Sequence, residues 1–420
     1  TVLSWPGPSL SDQLAYLSSN ALDARDRPRF GAPEGAGIVL GLACDGQISW
    51  LREAPWTRTQ GYAGDGANPQ TVFTHPGWGL TVTVLDAVAP DADVLVRQVT
   101  AEATGEPPAE CALLSYVNLS PLPPNARLPE LPVVDWALDG RNDFAAVHDP
   151  GAGAVIHFHP DDQRIHDGIP ALLGSPAVDF GPVGAALAEG PVDAAGAQAL
   201  VAGLADAYRP GAWWVVTTDP PPEGHQVGFD STDWCAQASA LVDRVVALPE
   251  TFPGFRSPLD PQALQLLKCR RTAAELVADR GFALGADPWQ DLADGALEGA
   301  HAAAGEVASA LRTPLVFTGG QAQAALILGA GADLQAARAA ADRGRAGGVA
   351  AAADEALQAW LAERYVPGAP GSRAQSVARR ALINLRVGTD AATGAIVASV
   401  ARQPPYYLDW PRDGAFFNVM

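Results

Sequence analysis

The sequence predicts a multidomain β + α protein: a large N-terminal β-sandwich with a helical insertion, then linker helices, then the first helices of a second domain. Three observations predict it. At 420 residues the chain is too long for one ordinary compact core. Up to about residue 220 it consists of short apolar runs between Gly, Pro and Asp clusters, and 43 Gly and 36 Pro imply many turns. Beyond residue 333 it changes to Ala-rich segments with helical periodicity. Hydrophobic residues make up 48% and charged residues 18%, which suits a globular rather than a disordered chain.

In chain order, strands are expected at Gly35 to Leu42, Gln47 to Leu51, Leu80 to Leu85 and Val94 to Thr100. From Leu80 to Val84 the apolar residues fall on every second position and threonines fall between them, the pattern of a strand with one side in a core. Trp213 and Trp214 begin another strand, with one ring expected in the core and the other near an interdomain surface. Between about 232 and 312 Ala and Leu recur at helical spacing; Ser231, Thr232 and Asp233 are candidate caps for a helix from Trp234 to Leu248. A strand pair is expected at Ser309 to Val316 and Ala322 to Leu328, with Gly319 and Gly320 supplying positive φ in the turn between them. Gly329 to Leu334 lacks the third glycine of a dinucleotide fingerprint and reads as a turn.

Helices follow at 333–342 and 350–364. In the second, Leu357, Trp360, Leu361 and Arg364 share one face, and Pro367 and Pro370 stop it. A last helix, Ser376 to Val387, carries Val377, Ala381, Leu382 and Leu385 as a stripe and is closed by Gly388. The domains are therefore placed at 1–342 for the sandwich, 343–372 for the linker and 373–420 for the start of the second domain.

Charge excludes some partners. With 27 Lys and Arg against 47 Asp and Glu the net charge is −20, which repels phosphate backbones and anionic lipid, so neither nucleic acid nor membrane is an expected partner. No apolar run is long enough to span a bilayer. Thr1 in place of an initiator Met fits a processed secreted or periplasmic chain, and fits a trimmed one equally. Cys44, Cys111, Cys235 and Cys269 show no metal spacing and read as buried free thiols.

The segment richest in chemistry runs from Thr389 onward. Pro404, Pro405 and Pro411 stiffen a stretch that holds the rings of Tyr406, Tyr407 and Trp410 beside the Arg412–Asp413 pair. Such a loop suits a sugar: flat apolar sugar faces stack on rings, while Arg and Asp match neighbouring hydroxyls with donors and acceptors. Taken alone, the cluster also fits a helix-entry loop with Tyr406 and Trp410 as core anchors.

The spacing of Tyr406, Trp410, Arg412 and Asp413, with Thr393-Gly394-Ala395-Ile396 upstream, resembles the bacterial glucoamylase and glucodextranase enzymes of glycoside hydrolase family fifteen. The resemblance implies an N-terminal super-β-sandwich, a helical linker and an (α/α)6 catalytic barrel of which only the first helices fall in this sequence. It further implies that Arg412 and Asp413 grip the hydroxyls of a terminal glucose, with Tyr406 and Trp410 lining the same subsite. The helical segment at 232–312 departs from that plan.

The implied activity is inverting, exo-acting hydrolysis that releases glucose from the non-reducing ends of α-glucans or isomalto-oligosaccharides. Inversion needs an acid and a base about 6.5–9.5 Å apart. The resemblance places both glutamates beyond Met420, and Asp409 and Asp413 share one short loop, so these residues alone are expected to be inactive without the rest of the barrel, as continuation or second chain. The other reading is a non-catalytic carbohydrate-binding or structural protein derived from that family. Linkage and chain-length preference depend on subsites from later loops.

No metal or cofactor is expected. His157 and His159 alternate with Ile156 and Phe158 on a strand, with His166 nearby, and read as a solvated strand face rather than a ligand set. The acidic excess is compatible with calcium, but no D-x-D-x-D-G loop encodes a site.

Overall fold

The structure is a computed structural model, and it describes residues 37–64, 66–119, 145–160, 181–208, 211–229, 288–304, 307–387 and 389. The expected helix at 234–248, Cys235, Cys269, His166, the side chain of His159 and the segment from 390 to 420 lie outside those residues. No helix among the described residues is long and apolar enough to cross a membrane.

Fourteen strands form two antiparallel sheets among the described residues. They are β1 (Gly37–Cys44), β2 (Gln47–Trp50), β3 (Thr57–Tyr62), β4 (Pro69–His75), β5 (Leu80–Val88), β6 (Val94–Ala103), β7 (Cys111–Asn118), β8 (Ala145–Asp149), β9 (Ala154–Pro160), β10 (Gly211–Asp219), β11 (Gly224–Phe229), β12 (Ala302–Ala304), β13 (Val307–Pro314) and β14 (Gln321–Gly331). The smaller sheet runs β11-β13-β7-β1-β2 and the larger β12-β8-β9-β10-β14-β6-β5-β4-β3. Asp45 and Gly46 both take positive φ, 48° and 75°, which is the two-residue turn a β1–β2 hairpin requires.

The two sheets face each other across the main core, where Leu40 and Leu42 of β1, Leu113 of β7 and Leu311 of β13 meet Val82 of β5, Val99 of β6, Trp214 of β10 and Leu328 of β14. The other face of the large sheet carries helices. These are α1 (Gly181–Glu189), α2 (Ala194–Ala207) and α4 (Leu334–Arg345), which lay Val183, Leu187, Val201, Leu204 and Ala337 on Val96, Ile156, Phe158, Trp213 and Ile327. A short α3 (Pro288–Asp291) and the 3₁₀ turn Leu292–Asp294 cover the outer face of the small sheet, with Trp289 stacked on Trp50 at 4.5 Å. Two further helices, α5 (Val349–Ala362) and α6 (Arg373–Val387), follow α4.

Burial in β5 alternates as the Leu80 to Val84 pattern requires, and the expected strands from residue 37 to 103 are all present. Several expectations change. Residues 181–207 are two helices, not sandwich strands; Asp193 caps α2 by accepting a hydrogen bond from the Gly196 amide at 2.7 Å. The C-terminal part of the expected helical insertion is strand, since β12 and the start of β13 fall within it. The strands β13 and β14 are not a hairpin: they belong to opposite sheets, and the Gly319–Gly320 turn, with φ of 62° and 82°, carries the chain across the sandwich.

Both Trp213 and Trp214 are buried, because the sheet that holds them is covered on both faces; Trp213 stacks on Phe158 at 4.7 Å on the helix side and Trp214 enters the inter-sheet core. Gly329 and Gly331 are not a turn but the end of β14 beneath α4. A Cβ on Gly329 would lie 2.3 Å from the Ala341 nitrogen, and one on Gly331 would lie 2.4 Å from the Ala337 nitrogen. Cys44 and Cys111 are not free thiols. They sit opposite each other in the β1–β7 ladder, with Cα atoms 4.1 Å apart, and form a disulfide.

Candidate functional site

The four residues of the expected sugar subsite, Tyr406, Trp410, Arg412 and Asp413, lie outside the described residues. The structure does show how the helix that leads toward them is held. Ile383 of α6 packs with Leu357 and Leu361 of α5 in a small separate core. Arg364 and Arg386 lie over the ring of Trp360, at 4.4 and 5.9 Å, and Arg380 lies 3.6 Å over the ring of Tyr62 at the end of β3. The Arg379 guanidinium donates to the Gln358 side chain. Helix α6 is thus fastened both to α5 and to the edge strand of the large sheet. Of its expected stripe, Leu382 packs against this core while Val377 is 61% exposed, and Ile383, outside the stripe, is its buried residue.

A second constellation is fully described. His148 lies on β8 and His301 immediately precedes β12, both on the large sheet; His225 lies on β11 at the edge of the small one. Each stands two positions from a member of the inter-sheet core, Ala146, Ala303 and Val227 respectively, and so shares its face, which turns the three rings into the gap between the sheets. The backbone fixes two of them together, since the His148 amide donates to the His301 carbonyl at 2.7 Å. Nδ1 of His301 lies 3.2 Å from Nδ1 of His148 and 3.1 Å from Nε2 of His225. The His148 and His225 rings are stacked at 3.5 Å.

Electrostatics keep these rings neutral. Burial, reinforced by His225 and His301, pulls His148 down to about 3, and burial with the neighbouring His301 pulls His225 down to about 4. His301 is lowered by burial, against the opposing influence of Asp193 at the start of α2. The Gly299 backbone hydrogen-bonds the His225 ring and partly offsets the shift. Uncharged imidazoles present lone pairs at neutral pH, so the cluster is chemically ready for hydrogen bonding or for a cation.

His157 proves to be a core residue rather than part of a solvated face. It is completely buried, bonds Ser309 Oγ across the sandwich at 2.8 Å, and burial pushes it down to about 3. The sequence offered no spacing signal for the other three: His301 is 153 residues from His148 and 76 from His225, and only the topology gathers them.

No protein-family model matches the chain, and no curated protein matches it in sequence. Among solved structures, one described as a bacterial glucoamylase complexed with acarbose is similar at 9% sequence identity and a TM-score of 0.49, over 90% of this chain. This chain spans 40% of the length of that one.

Proposed function

We propose that this chain is the sandwich and leading barrel portion of an inverting, exo-acting α-glucoside hydrolase that releases glucose from non-reducing ends of α-glucans or isomalto-oligosaccharides. The observation that carries the reading is the spacing of Tyr406, Trp410, Arg412 and Asp413 behind Thr393-Gly394-Ala395-Ile396. The order of parts agrees with it: a two-sheet sandwich that ends with α4 packed on it, then α5 as linker, then α6 ahead of the motif. In this reading the domains divide near 342 and 372. Tyr406 and Trp410 stack on the terminal sugar, Arg412 and Asp413 hold its hydroxyls, and glutamates beyond residue 420 move the protons.

The test is hydrolysis of maltotriose and isomaltotriose by the whole protein that carries this segment, with proton NMR to identify the anomer. β-Glucose is expected to appear first. Arg412→Ala and Asp413→Ala should each lower kcat/KM by roughly 10–100-fold, the worth of a charge-assisted hydrogen bond to a bound hydroxyl. Failure to release glucose from either substrate, with the oligosaccharide still bound, would point to the non-catalytic reading; no binding at all would remove carbohydrate from consideration.

A further inference from the structure

We infer that His148, His225 and His301 form a binding site for a divalent transition metal of the zinc class, and that the metal clips the two sheets together at their β11–β8 edge. The three ligand nitrogens lie within 4.8 Å of one another and come from three separate places in the chain.

Proton counting argues for a cation at their meeting point. One imidazole nitrogen is either an N–H or a lone pair, and Nδ1 of His301 has two ring nitrogens at 3.2 and 3.1 Å. As an N–H it can serve only one of them well; as a lone pair it needs both neighbours to donate into a single orbital. A metal ion accepts all three lone pairs at once. Tetrahedral bonds of about 2.0–2.1 Å to nitrogen place ligand nitrogens about 3.3–3.4 Å apart, within a few tenths of an ångström of the two spacings found here. Loading turns the stacked His148 and His225 rings apart so that their lone pairs converge.

The surroundings fit as well. The Gly299 backbone bonds the His225 ring, the kind of outer contact that fixes a ligating imidazole's orientation, and the Asp193 carboxylate supplies a nearby negative charge. His148 is buried while His225 and His301 are half-buried, so an ion can enter from solvent and keep water as its fourth ligand. An all-nitrogen set favours zinc, copper, nickel or cobalt and disfavours the hard cations calcium and magnesium. Since His225 belongs to one sheet and the other two to its partner, the ion cross-links them and stabilises the folded state by an amount that grows with the logarithm of its free concentration above the dissociation constant.

The experiment uses the whole chain, stripped with a chelator and titrated with Zn²⁺ alone, read by calorimetry and by the midpoint of thermal unfolding. One saturable site and a midpoint that rises with free Zn²⁺, but not with Mg²⁺ or Ca²⁺, are expected. His225→Gln and His301→Gln should each weaken binding beyond the roughly 10–100-fold that an outer contact is worth, while His157→Gln leaves it unchanged. No saturable site, a midpoint that Mg²⁺ raises equally, or binding undiminished in both variants would overturn the proposal. Should either variant fail to fold, Co²⁺ on the unaltered chain decides. An intense visible d–d band of tetrahedral nitrogen ligation, without thiolate charge transfer, supports the site, and its absence overturns it.

Discussion

Along β6, Val94 and Val96 turn toward helix α4, where they would touch any Cβ placed on Gly344, while Leu95, Arg97 and Val99 turn toward the small sheet. The two faces of this one sheet are built from different chemistry. The helix face is closed by small residues under α4, so backbone approaches backbone over Gly329 and Gly331, and its buried polar groups are met by arginines of that helix, Asp149 by Arg338 and Thr217 by Arg345. The inter-sheet face spans the roughly 10 Å that separates stacked sheets, and side chains from both sides must fill it. Several of the polar groups buried there are paired: Asp86 with Arg97, His157 with Ser309 and Thr218 with Thr313. Substitutions on one face should therefore fail by electrostatics, and on the other by steric overlap.

The ion pair is the strongest way to break that contrast. Arg97 Nε and Asp86 Oδ1 are 2.9 Å apart, directly opposite in the β5–β6 ladder, with side chains 0% and 3% exposed. Asp86→Ala removes the carboxylate directly opposite a buried guanidinium and should cost about 3–5 kcal/mol in urea unfolding. The double variant Asp86→Leu with Arg97→Met should recover most of that loss. A single variant costing under about 1 kcal/mol would mean that this face tolerates charge, and the contrast would fail.

Gly329→Ala probes the helix face. Its methyl group meets the backbone of α4, which cannot rotate away, so the helix must lift from the sheet at a cost of about 1–3 kcal/mol. Gly61→Ala on edge strand β3, where a Cβ meets nothing within 4 Å, is the matched control and should be neutral or slightly stabilising.

Acid separates the faces by another route. His157, on the inter-sheet face, is held at about 3, far below the ordinary value of 6.5. Between those two values the unfolded chain binds the proton and the folded one does not. The stability contributed by neutral His157 is therefore complete above pH 6.5 and is lost as pH falls toward 3, by about 1.4 kcal/mol per pH unit. His148, His225 and His301 shift in the same direction and add to the slope. In His157→Gln the proton uptake on unfolding, measured from urea midpoints across this range, should drop by about one. An unchanged slope would show that His157 reaches solvent.

How much of this was legible in the sequence depends on what kind of signal each part leaves. The alternation in β5 is local, and it was readable because one face of that strand is less covered than the other. The same logic misplaced His157 and one ring of the Trp213–Trp214 pair, since a sheet covered on both faces has no polar side for alternation to mark. Helices α1 and α2 hid in a Gly- and Pro-rich stretch, although Ala197, Val201 and Leu204 repeat at helical spacing just after the Asp193 cap. The Cys44–Cys111 bond and the histidine cluster depend on which strands become neighbours, and no local pattern encodes that.

The start of α4 gives the smallest and most local test. Asp333 stands at the end of β14's path into the helix, with extended backbone, and its carboxylate accepts from the Ala336 amide at 2.8 Å. That bond satisfies one of the helix's first free N–H groups and places negative charge at the positive end of its dipole. Asp333→Ala should cost about 1 kcal/mol, while Asp333→Asn, which keeps the acceptor and loses the charge, should cost only part of it. Because α4 is pressed onto Gly329 and Gly331, loosening its first turn also relieves the overlap that Gly329→Ala creates. The double variant Gly329→Ala with Asp333→Ala should therefore cost less than the sum of the two single changes, by at least about 0.5 kcal/mol. Strict additivity would mean that the helix does not move as a body, and that the close fit of this face is local to each glycine.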